Sequence, residues 1–407
     1  MSELTPQPRS SDAILGGQTL PPVMGAVLGG LAGVKQRLKS ETLVARLSAL
    51  REAIQYGDSG IDLAIQALSD SSEPVRRLAC RLLRSQGDER GREALLNHQP
   101  LTYFTTLADW RFETYNPQVG ITDPENNAYV VRMTNSGRER SYDLSQFEAL
   151  LKDPGVTELQ ALVFQINHNY WDQEHIFGVA LEAICDAQAR FPNLKGLFVG
   201  DSEGDGPEFR KSKIYVFDIR PFLEAFPKLE VLQVYGHFGK YRLECAGLHH
   251  DKLKTLIIET ADLQHENIEQ LCAINLSGLE YFELWLGRWH RSAAEVAKAM
   301  LPLLSGYAYP NLKYLGLCSC EDTNGLVKEV LESPILEQLA VLDLKMGTMT
   351  SAGLLLNHPN LQNLKLLDVS GNWLSEGAIA QLQQLPFLVE ATEQDVEEGS
   401  RYLALHE

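Results

Sequence analysis

Few side chains in this sequence have the types and spacing that enzyme chemistry requires. The zinc-protease pattern H-E-x-x-H, a C-x-x-C pair and the phosphate loop G-x-x-x-x-G-K-[ST] are absent. Cys318 and Cys320 form a C-x-C pair, but tetrahedral zinc takes four ligands and no neighbouring segment offers two more. We therefore expect two reduced thiols there, and we expect neither a cofactor nor a metal.

The other titratable pairs are expected to be solvated. His249 and His250 fall between two repeats, where a pair of solvated imidazoles is favoured over a metal site, and Glu397 and Glu398 belong to a charged tail. Carboxylates that spread along a shallow sheet do not form the enclosed pocket that tuning of a pKa requires. The sequence thus predicts a binding protein rather than an enzyme.

Composition narrows the class of partner. The chain has 407 residues, 44% of them hydrophobic and 22% charged, which is enough to bury a sizeable core. A formal net charge of −18 argues against nucleic acid, because binding to phosphates needs clustered Lys and Arg. The six cysteines are scattered and no secretory leader opens the sequence, so we expect a cytoplasmic protein.

The first 40 residues form a leader rich in glycine and proline. No charged residue occurs over 13–34, and Gly25, Gly29 and Gly33 are spaced four apart, as small residues are in packed membrane helices. Pro21 and Pro22 interrupt the apolar run, which leaves about twelve residues where roughly 20 are needed to cross a bilayer. We expect a leader packed on the next helices rather than a membrane span.

Residues 41–100 are predicted to form a small helical module. Leu43, Leu47, Leu50 and Ile54 recur at helical spacing, and similar stripes follow up to residue 97, which predicts four short helices. The pattern D-x-x-x-x-V-R-x-x-A over 70–79 resembles a HEAT repeat. The leader and these helices together also resemble the N-terminal part of cyanobacterial proteins, and that resemblance implies an adaptor.

A repeated motif occupies most of the remaining chain. The pattern L-x-x-L-x-L occurs eight times, at intervals of 24 to 35 residues that average about 29. Helical patterns lie between several of the copies, and Pro192, Pro227 and Pro310 precede the next copy. The eight first positions are Leu159, Leu194, Leu229, Leu253, Leu279, Leu312, Leu339 and Leu364.

This period and motif resemble those of leucine-rich repeats, in which each unit supplies one strand and a returning helix. We therefore predict an α/β solenoid: a leucine-rich-repeat horseshoe over 151–392 with parallel strands on its concave face, preceded by the small α-helical HEAT-like module. The first, fourth and sixth motif positions should point into the core, and the third, fifth and seventh should face the concave side.

Large aromatic side chains and acids concentrate on that concave side. Rigid aromatic residues on an exposed sheet face are typical anchors of protein interfaces. The expected alternatives are that these side chains pack on one another or that the N-terminal module covers them. The candidate partner-binding residues are Phe198, Tyr235, Glu259, Tyr281, Glu283, Trp285, Tyr314, Asp343, Lys345 and Asp368.

A closer resemblance covers about residues 128–390. The stretches PFLEAFPKLEVLQVYG, LKTLIIETADL, LEYFELWLG and LKYLGLCSCE resemble an uncharacterised bacterial family of leucine-rich-repeat proteins. The resemblance implies a ribonuclease-inhibitor-like horseshoe without known catalytic residues. Upstream, residues 101–150 are predicted to hold a linker and a hairpin, with strands at 110–115 and 128–133, that caps the first repeat.

The sequence favours a non-catalytic scaffold or adaptor that binds a protein partner on the concave face. A basic partner is favoured. The alternative is a HEAT-type accessory or lyase-like protein acting on a chromophore-bearing partner, since some small cyanobacterial HEAT proteins are bilin lyases. The expected organisation is a leader (1–40), the helical module (41–100), the linker and hairpin (101–150), the horseshoe (151–392) and an acidic tail (393–407).

Overall fold

The computed structural model describes residues 30–135, 142–167, 175–201, 214–238, 242–245, 247–260, 262–287, 292–356 and 358–394. The predictions for the leader before residue 30 and for the tail after residue 394 lie outside these ranges. The chain forms two compact units, Met1–Leu82 and Leu83–Glu407. Within the described ranges, each helix is too short or too polar to span a membrane.

The first unit is built from short helices. Its helices are α1 (Gly30–Arg37), α2 (Leu43–Ala53), α3 (Asp58–Ala67) and the first part of α4 (Glu73–Gln86). Val34, Ala49, Ala53 and Leu63 form a small buried core. The helices lie where the apolar spacing predicts them, but the unit boundary falls inside α4, so the module expected over 41–100 is divided. The HEAT resemblance stays an expectation.

The second unit alternates strands and helices. Its helices are the end of α4, α5 (Glu89–His98), α6 (Ser145–Lys152), α7 (Ile176–Asp186), α8 (Arg220–Ala225), α9 (His265–Cys272), α10 (Ala293–Ala299), α11 (Leu301–Leu304), α12 (Thr323–Leu331), α13 (Gly353–Leu356) and α14 (Glu376–Leu382). Its strands are β1 (Arg111–Thr114), β2 (Asn127–Asn135), β3 (Tyr142–Asp143), β4 (Ala161–Asn167), β5 (Gly196–Asp201), β6 (Val231–Tyr235), β7 (Thr255–Glu259), β8 (Tyr281–Gly287), β9 (Tyr314–Cys320), β10 (Val341–Asp343), β11 (Leu366–Asp368) and β12 (Leu388–Glu390).

The strands form one open sheet in chain order. The sheet runs β1-β2-β4-β5-β6-β7-β8-β9-β10-β11-β12, and β3 pairs with β2 off this path. All neighbours on the path are parallel, and the pair β2–β3 is antiparallel. The eight motif copies supply β4 to β11 as adjacent strands, which confirms the predicted solenoid.

The register follows the motif. Third positions pair with third positions along the sheet, as in Thr255 with Tyr281 and Tyr281 with Tyr314. The fourth-position residues Leu256 and Leu315 are fully buried in the core beneath the helices. Burial of each such side chain contributes about 1.5 to 3 kcal/mol before chain entropy is subtracted. The repeated leucines therefore stabilise the sheet. They also determine on which face of the sheet the remaining strand residues lie.

The segment before the first motif copy differs from the prediction. Strands lie at Arg111–Thr114 and Asn127–Asn135, close to the two predicted positions, but they pair in parallel, so they do not form a hairpin. Asn127–Asn135 pairs with β4 in register and extends the solenoid sheet by two further strands. Neither strand carries the L-x-x-L-x-L motif, so the repeat pattern does not predict them.

Candidate functional site

The candidate residues lie on the sheet face that carries the third, fifth and seventh motif positions, which we call the inner face. Residues 99–110, which we call the strap, lie against the beginnings of the strands on this face. Thr255 Oγ1 donates to the carbonyl oxygen of Thr105 at 2.6 Å. Leu107 and Trp110 pack with Ala161 and with other inner-face residues of β2, β4 and β6. The strap therefore covers one end of the inner face.

Arg84 fixes the strap in place. Its guanidinium donates to the carbonyl oxygens of Thr102 and Phe104, each at 2.7 Å, and to Asp109 Oδ1 at 2.6 Å. A second guanidinium, that of Arg92, pairs with Glu280 at 2.6 Å immediately before β8. Charge-assisted hydrogen bonds of this kind are stronger than neutral ones, so they hold the strap firmly within the second unit.

On the inner face, side chains at the beginning of each strand are more buried than several of those further along it. All eight third positions are buried, whereas several fifth and seventh positions are only half-buried. The strap contacts several of the buried third positions, among them Thr255, Tyr281 and Tyr314. The half-buried residues at the later positions are Phe198, Gln233 and Asp368 in the fifth place, and Gln165, Glu259, Trp285, Lys345 and Ser370 in the seventh.

Two of the predicted anchors are enclosed. The rings of Tyr281 and Tyr314 stack with their centroids 3.6 Å apart and an interplanar angle of 12°. Phe104 of the strap meets both rings edge-on, at 5.4 and 5.6 Å between centroids. Tyr281 is 8% exposed and Tyr314 is 2% exposed. The expectation that these rings are presented freely on the inner face is wrong, because the strap covers them.

Glu283 accepts hydrogen bonds from the hydroxyl groups of both tyrosines. Tyr281 Oη donates to Glu283 Oε2, and Tyr314 Oη lies 3.1 Å from the same oxygen. The other carboxylate oxygen accepts the indole N–H of Trp285 at 2.8 Å. Gly316 makes room for this arrangement, since a Cβ there would lie 2.8 Å from Glu283 Cγ. One buried carboxylate thus organises three aromatic side chains.

Lys345 and Asp343 complete a buried polar network. Lys345 Nζ lies 2.6 Å from Asp343 Oδ2 and 3.2 Å from Glu283 Oε1. Asp343 Oδ2 also lies in hydrogen-bonding contact with Tyr314 Oη, and Asp343 Oδ1 accepts the backbone N–H of Lys345. Because the polar atoms of this network have partners, burial is compatible with stability and the side chains are held in one arrangement.

Burial, together with the charges inside the network, determines the pKa values of its side chains. Burial raises the pKa of Asp343 to about 6, against the attraction of Lys345 and with the help of the Glu283 charge. Burial acts in the same direction on Glu283, but Lys345 and the hydrogen bonds from Tyr281 and Trp285 outweigh it and lower the pKa. Burial raises the pKa values of Tyr281 and Tyr314 well above the usual range. Both hydroxyls therefore stay protonated and act as donors.

The network is poorly suited to nucleophilic or metal chemistry. Cys318 is fully buried, and burial raises the pKa of its thiol well above its usual value, so the reactive thiolate is disfavoured. Ligand atoms of Glu283, Cys318 and Asp343 lie within 4.8 Å of one another. The ammonium of Lys345, however, already contacts both carboxylates where a cation would sit. The two carboxylates that could bind a metal ion are thus already neutralised by Lys345.

A second cluster of predicted residues remains partly open to solvent. Phe198 and Trp285 pack against Tyr235, which is 5% exposed, while the other two rings are half-buried. Glu259 is half-buried, pairs in register with Tyr235, and accepts a hydrogen bond from Gln233 Nε2. We call Phe198, Tyr235, Glu259 and Trp285 the aromatic patch.

The ten predicted residues therefore divide by position. Tyr281, Glu283, Tyr314 and Asp343 form the enclosed part of the network, and Lys345 lies at its edge. The aromatic patch lies towards the strand ends, and Asp368 is half-buried on β11. Sequence spacing identifies the shared face, but the strap carries no repeat motif and the spacing gives no sign of it.

Two smaller expectations concern residues outside the network. His250 is 4% exposed and makes two hydrogen bonds, through Nε2 with the carbonyl of Phe226 and through Nδ1, which accepts from Leu253 N, so the solvated imidazole predicted there is wrong. Cys318 and Cys320 are both buried, and neither is part of a disulfide. Cys320 occupies the ninth place of its repeat, where Asn372 stands in the last one, a place that takes Asn or Cys in leucine-rich repeats.

The sequence also contains one serine pattern found in hydrolases. Residues 200–204 read G-D-S-E-G, which matches G-x-S-x-G, and the first two of them are the last two residues of β5. In hydrolases that serine sits on a sharp turn leading straight into a helix. Ser202 lies outside the described residues, and the helix described next, α8, begins at Arg220. The turn and the helix that the pattern requires are not among the described residues.

Comparisons with known proteins agree with the fold. A Bacteroides fragilis protein of known crystal structure is similar over 65% of this chain and 74% of its own, with 26% sequence identity and a TM-score of 0.54. Human trophoblast glycoprotein is similar over 49% of this chain and 70% of its own, with 20% identity and a TM-score of 0.29, too low to support any conclusion. A scan of protein-family models gives no match, and a search of curated proteins gives none.

Proposed function

We propose that this protein is a non-catalytic scaffold that binds a protein partner on the uncovered part of the inner face. The observation that carries the proposal is the contrast in burial between the two ends of that face. Strap residues cover third-position residues between β4 and β9, whereas Phe198, Trp285 and Glu259 stay half-buried on the same group of strands. Aromatic residues that remain accessible on a rigid surface are typical hot spots of protein interfaces.

The rigidity of the surrounding side chains supports this use of the surface. Trp285 is held through its indole N–H by Glu283, and Glu283 is held by the two tyrosines. A side chain fixed before binding loses little conformational entropy on binding. The enclosed network therefore acts as the support of the anchors, and the aromatic patch acts as the contact surface.

Charge supports a basic partner. Residues 83–407 contain 27 Lys and Arg against 46 Asp and Glu, a formal net charge of −19, whereas residues 1–82 contain 9 against 8, a formal net charge of +1. The acidic excess thus belongs to the unit that carries the sheet. Such a charge accelerates encounter with a basic protein and repels acidic ones.

Affinity capture with matched variants tests the proposal. Tagged wild-type protein and the double variant Phe198→Ala, Trp285→Ala are used to capture partners from the native cell, with mass spectrometry as the readout. The proposal predicts a polypeptide retained by the wild type and lost by the double variant, at a temperature where circular dichroism shows both proteins to be folded. Retention of the same polypeptides by both proteins would contradict it.

A further inference from the structure

We infer that two copies of this chain pair through β1, the strand at one open end of the sheet, in an antiparallel arrangement centred on Phe112. Among the strands of the described ranges, β1 pairs with β2 alone. An edge strand presents backbone groups that can pair with a strand of another chain. The inference goes beyond the proposed function, since it concerns a different surface of the second unit.

The backbone of β1 is oriented for this pairing. The N–H of Arg111 donates to the carbonyl oxygen of Asn126 at 2.9 Å, and further along the strand the N–H of Tyr115 donates to that of Val130, also at 2.9 Å. Both bonds lie on the β2 side. Because neighbouring residues of a strand direct their hydrogen-bonding groups to opposite sides, the N–H and C=O of Phe112 point away from β2. Phe112 can therefore exchange two hydrogen bonds with Phe112 of a second copy.

The side chain of Phe112 is exposed to an extent that is unusual for an edge strand. It is 61% exposed, whereas its register partner Ala128 on β2 is fully buried among inner-face residues. Soluble proteins commonly protect sheet edges with charged residues, proline or a short strand rather than with an aromatic ring. In the paired arrangement the two Phe112 rings lie opposite one another, and aromatic pairs across antiparallel strands stabilise a sheet.

The charges that flank Phe112 favour the same register. Centring the two strands on Phe112 places Arg111 opposite Glu113 of the second copy, and two-fold symmetry repeats this pair. Opposite charges at directly facing positions stabilise an antiparallel pair, and like charges destabilise it. Within its own chain, Arg111 lies 3.3 Å from Asp123, and Glu113 accepts a hydrogen bond from Asn127 Nδ2. Guanidinium and carboxylate groups each have room for a further hydrogen bond, so these contacts are compatible with the pairing.

The other end of the sheet offers a different kind of contact. Leu388 on β12 is 56% exposed, and β12 is the last strand of the sheet. A contact between β12 of one copy and β1 of the next would run head to tail, so it would continue into open assemblies. The β1 pair closes at two copies, because one surface meets itself. Its small size predicts a reversible dimer that dissociates on dilution.

Sedimentation velocity of the full chain tests the inference. Wild-type protein should pass from monomer to dimer as its concentration rises through the micromolar range, without larger species. Phe112→Ser should weaken the dimer about tenfold or more, because both copies lose the buried ring. Leu388→Ser changes an apolar side chain of similar exposure on β12 and is the matched control. It should weaken the dimer less than about twofold.

Charge-reversal variants test the register. Arg111→Glu and Glu113→Arg each place like charges opposite one another, so either protein alone should dimerise more weakly than the wild type. An equal mixture should recover the dimer, because the acidic strand of one variant then faces the basic strand of the other. Contacts within each chain are the same before and after mixing, so recovery reports the pairing between chains.

Four results would overturn the inference. They are monomer at every concentration, equal weakening by Phe112→Ser and Leu388→Ser, no recovery of dimer on mixing the charge-reversal variants, and growth of the wild type beyond a dimer. The last result would indicate the head-to-tail contact between β12 and β1.

Discussion

Tyr281 and Tyr314 stack 3.6 Å apart, and both hydroxyls lie at one oxygen atom, Glu283 Oε2. The two tyrosines stand in the same motif place on adjacent strands, so the repeat itself brings the rings together. Glu283 stands two residues after Tyr281, on the same face. The strap then closes over the pair through Phe104. A surface that the sequence predicts as open is thereby converted into a small buried polar core.

Removing the charge of Glu283 should destabilise the second unit. Glu283→Gln leaves Lys345 with one carboxylate fewer and replaces an acceptor oxygen of the two tyrosines by an amide. Breaking such a buried, hydrogen-bonded charge pair costs about 3 kcal/mol. Urea unfolding followed by far-UV circular dichroism measures the change. Glu269→Gln is the control and should shift the free energy of unfolding by less than about 0.5 kcal/mol; equal effects of the two substitutions would contradict the network.

Asp343 should give the stability a specific pH dependence. Burial raises its pKa in the folded state from 3.8 to about 6, so its contribution is fully favourable below the unfolded pKa and is lost as the pH rises through about 6. The pKa of Glu283 in the folded state is lowered, so Glu283 changes the stability at pH values below its ordinary pKa of 4.5. Of these two carboxyl groups, Asp343 is therefore the one that changes the stability between pH 4.5 and 6. As the pH rises from 4.5 to 6, the free energy of unfolding of the wild type should fall by about 2 kcal/mol relative to that of Asp343→Asn.

The comparison is made by denaturant unfolding of both proteins at several pH values between 4.5 and 7. Only the difference between the two curves is attributed to Asp343, since other groups titrate in both proteins. A difference that stays constant across this range would show that Asp343 is not held at a raised pKa.

Arg84 should determine how firmly the strap is held in its folded position. Arg84→Lys keeps the charge but cannot reproduce the three bonds to Thr102, Phe104 and Asp109, so we expect a loss of about 2 to 4 kcal/mol and faster hydrogen exchange over residues 99–110. Arg90→Lys, at a side chain that is 51% exposed, is the control. Unchanged exchange over the strap in Arg84→Lys would show that the strap is held by its apolar contacts alone.

Gly316→Ala should disturb the same network from the strand side. The added methyl group would lie 2.8 Å from Glu283 Cγ and 3.1 Å from Tyr314 Cε1, and both side chains are buried. Overpacking of this kind costs about 1 to 3 kcal/mol. Thermal unfolding of the variant measures the cost, with Gly353→Ala, where the nearest atom lies at 3.5 Å, as the tolerant control.

The motif predicts the fold well and the site only in part. Eight leucine-led segments fix the register, so the residues of the inner face are identified from spacing alone. Spacing says nothing about what lies over that face. The strap is bound by Arg84 and by apolar contacts with no periodic pattern, and β1 and β2 lack the motif, so their parallel pairing is invisible in the sequence. Exposure of Tyr281 and Tyr314 was therefore predicted wrongly, while exposure of Trp285 was not.

The candidate residues differ in how well they suit a binding experiment. A variant at Tyr314 would affect stability through Glu283 and Asp343, so it cannot separate binding from folding. Phe198 suits such an experiment better, because its side chain is half-buried and belongs to the aromatic patch.

Site-specific photo-cross-linking tests the central claim most directly. A photoreactive amino acid is placed at Gln233, on the inner face beside the aromatic patch, and in a second protein at Lys298, on the exposed face of α10. The account predicts that irradiation in the native cell joins a discrete partner protein to position 233 and not to position 298. Cross-linking of the same partner from position 298 alone would contradict binding on the inner face.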